Sequence, residues 1–137
     1  MSLFLSDGLV KREFTIPRAR VQTLFSSPLK IAPALAGVYY APMFVSVTKF
    51  PGAYTNPENV SINAAGAGIW LALDSLVMTA SAASYGAAFF DGSLGFGSSF
   101  NPAGVLGRAL VLTTDGENPA GNGGDLRVSV WYFVVRV

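Results

Sequence analysis

The chain has 137 residues, no cysteine and no histidine, a composition that is 51% hydrophobic but only 12% charged, and a formal net charge of +1. That length suits one domain with a core of its own, and the two missing residue types exclude disulfides, thiolate or imidazole metal sites and the Ser/His/Asp and Cys/His nucleophile arrangements. Near-neutral charge argues against a general electrostatic grip on nucleic acid, and Pro, Gly, Asn or a charge interrupts every apolar stretch before the roughly 18 residues that a membrane-spanning helix needs.

Acid/base chemistry is left to eight carboxylates, scattered as Asp7, Glu13, Glu58, Asp74, Asp91, Asp115, Glu117 and Asp125 with no spacing that pairs them. A non-enzymatic protein with no cofactor and no metal is the expectation. An ordinary soluble domain is about 25% charged, so much of this surface must be uncharged, and interfaces buried against partner protein account for that better than a membrane does. The opening Met1-Ser2-Leu3-Phe4-Leu5-Ser6-Asp7 has neither a basic leader nor a long apolar run, so no secretory signal is expected there.

Residues 9–16 alternate as a strand, with Val10, Arg12, Phe14 and Ile16 on one face and Leu9, Lys11, Glu13 and Thr15 on the other. Residues 1–16 are read as an N-terminal arm and first strand, a docking candidate, and residues 17–137 as the β-sandwich body. Lys11, Arg12, Arg18, Arg20 and Lys30 crowd this end while residues 50–107 hold no basic residue; such a cluster suits docking to an acidic partner or simple solvation of an exposed segment. Pro17 can open a helix of about two turns through Val21, Gln22, Leu24 and Phe25, and Pro28 ends it.

Residues 29–32 and 37–50 read as strands, the second closed by Pro51-Gly52. Within it Val38, Tyr40 and Phe44 are assigned to one side and Tyr39, Met43, Val45 and Val47 to the other. Residues 60–73 suggest two strands broken at Gly66 and Gly68. Asn59-Val60-Ser61 matches a glycosylation acceptor, a three-residue pattern that chance produces readily. Residues 76–107, rich in Ala, Ser and Gly with Phe89, Phe90, Phe96 and Phe100 as anchors, show little periodicity.

Residues 108–114 and 126–137 are β-rich and are expected to form an antiparallel pair joined by the turn-rich run 115–125. That run has Pro119 and Leu126 where an EF-hand needs a ligand and its closing Glu. Its Gly121-Asn122-Gly123-Gly124 lacks the Lys-Ser/Thr ending of a phosphate loop and precedes a strand. The aromatic residues Trp70, Trp131, Tyr132 and Phe133 lack the interleaved Lys and Arg of a base-stacking surface. About eight short strands closing one antiparallel sandwich or jelly roll, with one short peripheral helix near the N-terminus, is the expected all-β fold.

The last strand carries the clearest functional signal. Val128, Val130, Tyr132 and Val134 line one face while Trp131, Phe133, Val135 and Val137 line the other, so both faces call for burial. A large exposed apolar patch usually marks association, and a homo-oligomer is expected; the alternative is a loop or the early helix laid over the outer face. Candidate interface residues are Lys11, Arg12, Arg18, Arg20, Tyr39, Met43, Trp131, Phe133 and Val135.

Two stretches, Phe14-Thr15-Ile16-Pro17-Arg18 to Leu24 with Pro28-Leu29-Lys30-Ile31-Ala32-Pro33-Ala34, and Asn118-Pro119 to Gly123-Gly124-Asp125-Leu126-Arg127-Val128-Ser129-Val130-Trp131-Tyr132, resemble the small head decoration, or cement, proteins of tailed bacteriophages. The resemblance covers roughly half of the chain, at its two ends. It implies a jelly-roll-like domain that bridges neighbouring subunits of the major capsid protein on the outer surface of the virion after synthesis in the host cytoplasm. It also implies self-association, with a homotrimer favoured over a dimer, and no direct contact with nucleic acid or membrane. A tail-fibre or receptor/glycan-binding β module is the alternative, with the 115–125 loop as recognition surface, and a lectin-like or carbohydrate-active protein using Trp70 or Trp131 is a third.

Overall fold

The computed structural model describes residues 4–56, 59–66, 68–89 and 104–137. The chain runs β1 (Phe4–Ile16), α1 (Arg18–Val21), β2 (Leu29–Ala32), β3 (Val38–Lys49), β4 (Tyr54–Thr55), β5 (Val60–Ala64), β6 (Gly68–Ala72), α2 (Leu76–Thr79), β7 (Ser84–Phe89), β8 (Leu110–Thr114), β9 (Ala120–Gly121) and β10 (Leu126–Arg136). Two four-stranded antiparallel sheets, β1-β10-β3-β7 and β2-β8-β5-β6, face each other across the core, and β4 and β9 form a separate two-stranded ribbon. The all-β sandwich expected from the sequence is therefore the fold. Eight strands make the sandwich; the ribbon raises the described total to ten, and α2 joins α1 as a second one-turn helix.

Alternation places one side of each strand inside. Val45, Val47, Val128 and Val130 from the first sheet meet Ile31, Val60, Ile62, Leu71, Leu110 and Leu112 from the second in one continuous cluster. Val21 and Leu24 of the α1 segment join the same cluster. This segment shortens to a single α-turn because its backbone passes into tighter bonds, Thr23 N to Arg20 O at 3.2 Å and Leu24 N to Val21 O at 3.1 Å.

Two expectations are corrected. The strands at 110–114 and 126–136 do not pair: β8 lies between β2 and β5 while β10 lies between β1 and β3. Residues 115–125 therefore cross from one sheet to the other, and turn composition alone carries no information about which sheet the next strand enters. The facing of β3 also changes midway. Trp131 pairs with Phe44 but Tyr132 pairs with Pro42, which leaves Met43 as the extra residue of a bulge. Before it Val38 and Tyr40 are buried and after it Val45 and Val47 are, so Phe44 belongs to the opposite face from Tyr40. The phenylalanines at 90, 96 and 100 lie outside the described residues.

At the end of β3 the sandwich is closed by one buried cation. The Lys49 side chain is wholly buried, and its ammonium donates to the carbonyls of Gly52 and Ala80 at 2.7 Å each and of Phe50 and Ala82 at 3.2 Å each. The β3–β4 turn and the α2–β7 turn are thus pinned to one point. Gly52 N adds a 2.8 Å bond to Ser81 O, and Phe50 N one of 3.0 Å to Asp125 O, which brings in the inter-sheet crossover. A side chain at Gly124 would collide with the Phe50 carbonyl, and one at Gly123 with the Tyr54 ring. The buried Tyr54 hydroxyl completes the knot by donating to Gly124 O at 2.7 Å.

Lys49→Met keeps the stem and removes the cation, stranding several carbonyls. A loss of about 3 kcal/mol in urea unfolding is expected, since orphaned buried polar groups cost ~1–3 kcal/mol each. Burial pushes the Tyr54 hydroxyl up to about 12, with Asp125 adding to the shift and Arg18 opposing it. The folded state therefore keeps a proton that the unfolded chain loses near pH 10, so this contribution is whole below about pH 10 and lost as pH rises through about 12, by at most ~2–3 kcal/mol. Burial lowers the Lys49 pKa and acts with the opposite sign in the same alkaline range, so the test is a difference: wild type minus Tyr54→Phe stability, measured against pH, should fall above about pH 10. A flat difference would contradict it.

Candidate interaction surface

The β1-β10-β3-β7 sheet turns its second face outward, and register divides that face into rows. Thr15, Arg127, Thr48 and Tyr85 stand side by side across four strands; next come Glu13, Ser129, Ser46 and Ala87; then Lys11, Trp131, Phe44 and Phe89; then Leu9, Phe133 and Ala41 on three strands. The first two rows are largely polar and the last two largely apolar. The outer face is thus half hydrophilic and half hydrophobic, with Lys11 at the β1 border of the apolar half.

The rings in that half touch each other without being covered. Phe44 and Trp131 meet edge-on, with centroids 5.0 Å apart, a favourable arrangement for their quadrupoles. The Lys11 ammonium lies 5.1 Å from the Trp131 ring centroid and 2.8 Å from the Glu13 carboxylate. Glu13 also accepts from Ser129 Oγ at 3.4 Å, and Lys11 holds its carboxyl below the usual range, first by hydrogen bonding and then by charge. These groups are exposed, so the pair steers and orients more than it stabilises. Phe89 is 68% exposed, Leu9 52% and Met43 37%, whereas Trp131, Phe133 and Phe44 are half-buried.

The candidate residues read from the sequence fall into four groups. Lys11, Trp131 and Phe133 come together on the apolar half, and Met43 protrudes at its bulge. Tyr39 and Val135 face each other across β3 and β10 but are buried, at 8% and 5% exposure, and so offer little surface. Arg12 is exposed and lies over the Phe14 ring at 5.4 Å, on the other side of β1 from Lys11. Arg18 ties the helix to the crossover and Arg20 braces its own segment: Arg18 Nε donates to Gly123 O at 2.6 Å and its backbone N to Asp125 Oδ1 at 3.0 Å, while Arg20 donates to Thr23 Oγ1 and Ser27 O. Phe44, Phe89 and Leu9 are surface residues the candidate set lacked. Pro42 is the signal that would have recovered Phe44, because a proline inside a central strand implies a bulge and hence a change of facing.

The 115–125 crossover is held by backbone and side-chain bonds along its length. Asn118 Oδ1 accepts from the backbone of Phe25 and Ser26 at 3.0 and 3.1 Å, Gln22 donates to Gly121 O at 2.9 Å, and β9 pairs with β4. Residues 1–16 likewise include a strand bonded to β10 from Phe4 to Ile16. Among the described residues no group of three or more Asp or Glu side chains is placed to hold a metal ion, and no helix is long and apolar enough to cross a membrane.

No protein-family model and no curated protein matches the chain. Among solved structures it is similar to a chain of the cyanophage Pam1 capsid asymmetric unit, with 16% sequence identity and a TM-score of 0.51 over 92% of this chain and 84% of that one. At that identity the likeness is one of fold.

The division between core and outer face predicts a contrast. Leu126→Ala, at a fully buried position, should cost about 2–5 kcal/mol. Leu9→Ala, at a 52% exposed position of β1 on the same apolar half, should change stability by no more than about 0.5 kcal/mol while lowering the binding of an apolar dye to the native protein. Both quantities come from urea unfolding and dye fluorescence on the same samples.

Proposed function

We propose that this protein is a structural component of a phage virion that decorates and stabilises the capsid by bridging neighbouring subunits. The observation that carries the reading is the apolar half of the outer face: three aromatic rings in one cross-strand row, bordered by a lysine and surrounded by polar rows, on a protein with very few charges. Such a surface suits docking against another protein, with the rings as buried anchors and the rim cations setting approach and orientation. The fold of a capsid-unit chain from cyanophage Pam1 supports the same reading. So does the resemblance of the chain's two ends to phage decoration proteins. The role is mechanical: area buried across a subunit junction resists the outward pressure of packaged DNA without chemistry.

The receptor- or glycan-binding alternative draws less support, because the crossover it would use as a recognition loop is tied into the body through Asn118, Gly121, Gly123 and Gly124. Deleting residues 1–16 is a poor test of docking, since it strips a strand from β10 and removes the core residue Ile16.

Point substitutions on the outer face test the proposal. In cosedimentation with DNA-free capsid shells of the parent phage, wild type should bind saturably, and Phe44→Asp should bind at least about tenfold more weakly, equivalent to 1.4 kcal/mol, with unchanged circular dichroism. Lys11→Glu should weaken binding mainly at low salt. Absence of wild-type binding, together with capture of the protein on a glycan panel, would transfer the assignment to the receptor-binding module.

A further inference from the structure

Four strands end the two main sheets: β1 and β7 in one, β2 and β6 in the other. An unpaired strand edge templates further pairing, and proteins blunt it with charge, proline, bulges or shortness. β1 carries Lys11, Arg12 and Glu13 and a register shift between Leu5 and Leu9. β2 has only four residues, holds Lys30, lies between Pro28 and Pro33 and is irregular between Lys30 and Ala32. β6 pairs with β5 through a shift between Ile62 and Asn63. β7 has none of these devices. Ser84-Tyr85-Gly86-Ala87-Ala88-Phe89 contains no charge and no proline, and it pairs with β3 at six successive positions without a shift. Among the described residues no strand lies on its other side.

The pattern of β7 also specifies a partner. Tyr85, Ala87 and Phe89 project from one face, all exposed, with the two rings at 66% and 68% open to solvent. The triplet is symmetric about Ala87. If a second copy lies antiparallel with Ala87 opposite Ala87, each Tyr85 meets the other copy's Phe89, so two aromatic cross-strand pairs flank a small residue on the axis. No like charges meet, because the strand has none. On the inner side Gly86 of each copy faces Ala88 of the other, both small, and a groove of about 350 Å³ lined by Leu73, Leu76, Val77 and Tyr85 among others runs beside the strand. We infer that two copies of this chain join through β7, edge to edge about a twofold axis, into one eight-stranded sheet of order β1-β10-β3-β7-β7-β3-β10-β1.

This selects the dimer over the trimer that the family resemblance favours. It also sets the Lys11-Trp131-Phe44-Phe89 row of one copy next to Tyr85 of the other, so two apolar docking half-faces share one continuous surface. The inference does not rest on the capsid reading, and its test uses the isolated protein.

Because the chain has no cysteine, Ala87→Cys introduces a single thiol on the proposed axis. Directly opposed residues of an antiparallel pair have Cα atoms about 4.5–5.5 Å apart, within disulfide range. Light scattering should give twice the chain mass for wild type, and mild oxidation should convert Ala87→Cys fully to a covalent dimer while the β1-edge control Thr15→Cys stays uncrosslinked. Ala87→Lys, an exposed change that sets two ammonium groups against each other, should give a folded monomer. A wild-type mass of one or three copies would overturn the inference. So would a dimer in which Ala87→Cys fails to crosslink, since that dimer would use another surface.

Discussion

The closure of this sandwich depends on a lysine that, among the described residues, has no acidic partner. Burying an ammonium is costly unless its donors are met, and Lys49 meets its own with backbone carbonyls from two separate turns. Neither 50–52 nor 80–82 lies in a ladder, and of those carbonyls only that of Gly52 has a further donor among the described residues, the Gly124 amide at 3.3 Å. Lysine suits the position better than arginine would: a compact group with three rotatable donors can converge on four oxygens, whereas a planar fork cannot. The contact joins the end of β3 to the start of β7, next to the point where the crossover passes Phe50. The strand that presents Phe44 and the strand that presents Phe89 are thereby held at a fixed spacing, and the outer aromatic row inherits its geometry from a buried cation on the inner side.

Some of this was legible in the primary structure and some was not. Period-two alternation in residues 9–16 identified which side of β1 carries Lys11 and which carries Ile16, and both assignments hold in the sheet. Gly66 correctly marked the turn between β5 and β6, where it takes a positive φ of 73°. The failures have physical causes. A bulge is a one-residue event that reverses every later facing, so Phe44 went to the wrong side although Pro42 stood beside it. The crossover looked like a hairpin because Gly, Asn and Asp report local backbone freedom and nothing about which strands they connect. The bonds of Arg18 and Arg20 to the carbonyls of residues 123 and 27 were not legible either, because a backbone acceptor has no signature in sequence.

The expectation that the last strand needs burial on both sides fares unevenly along its length. At the Val135 end the outer face is already buried within the chain. Around Trp131 it is only half-buried, and moving outward across β3 to β7 the exposure rises until Phe89 is open. A gradient of this kind differs from the scatter of single apolar residues found on most soluble surfaces. It runs toward the uncharged edge.

The low charge content can now be located. Among the groups described, lysine and arginine do three different jobs: Lys49 closes turns, Arg18 and Arg20 clamp the helix and crossover, and Lys11 borders an aromatic ring. The cations on the surface of the sheet that carries β3 and β7 sit on β1 and β10, while β3 has only the buried Lys49 and β7 has none, and between residues 50 and 107 there are none in the sequence. Solubility in such a protein cannot come from a charged coat. The proposed docking on the apolar row and the inferred pairing through β7 would cover both the uncharged face and an edge that, among the described residues, has no strand beside it. The composition, the β7 edge that no described strand covers and the half-apolar outer face are accounted for together by the proposed contacts with other chains.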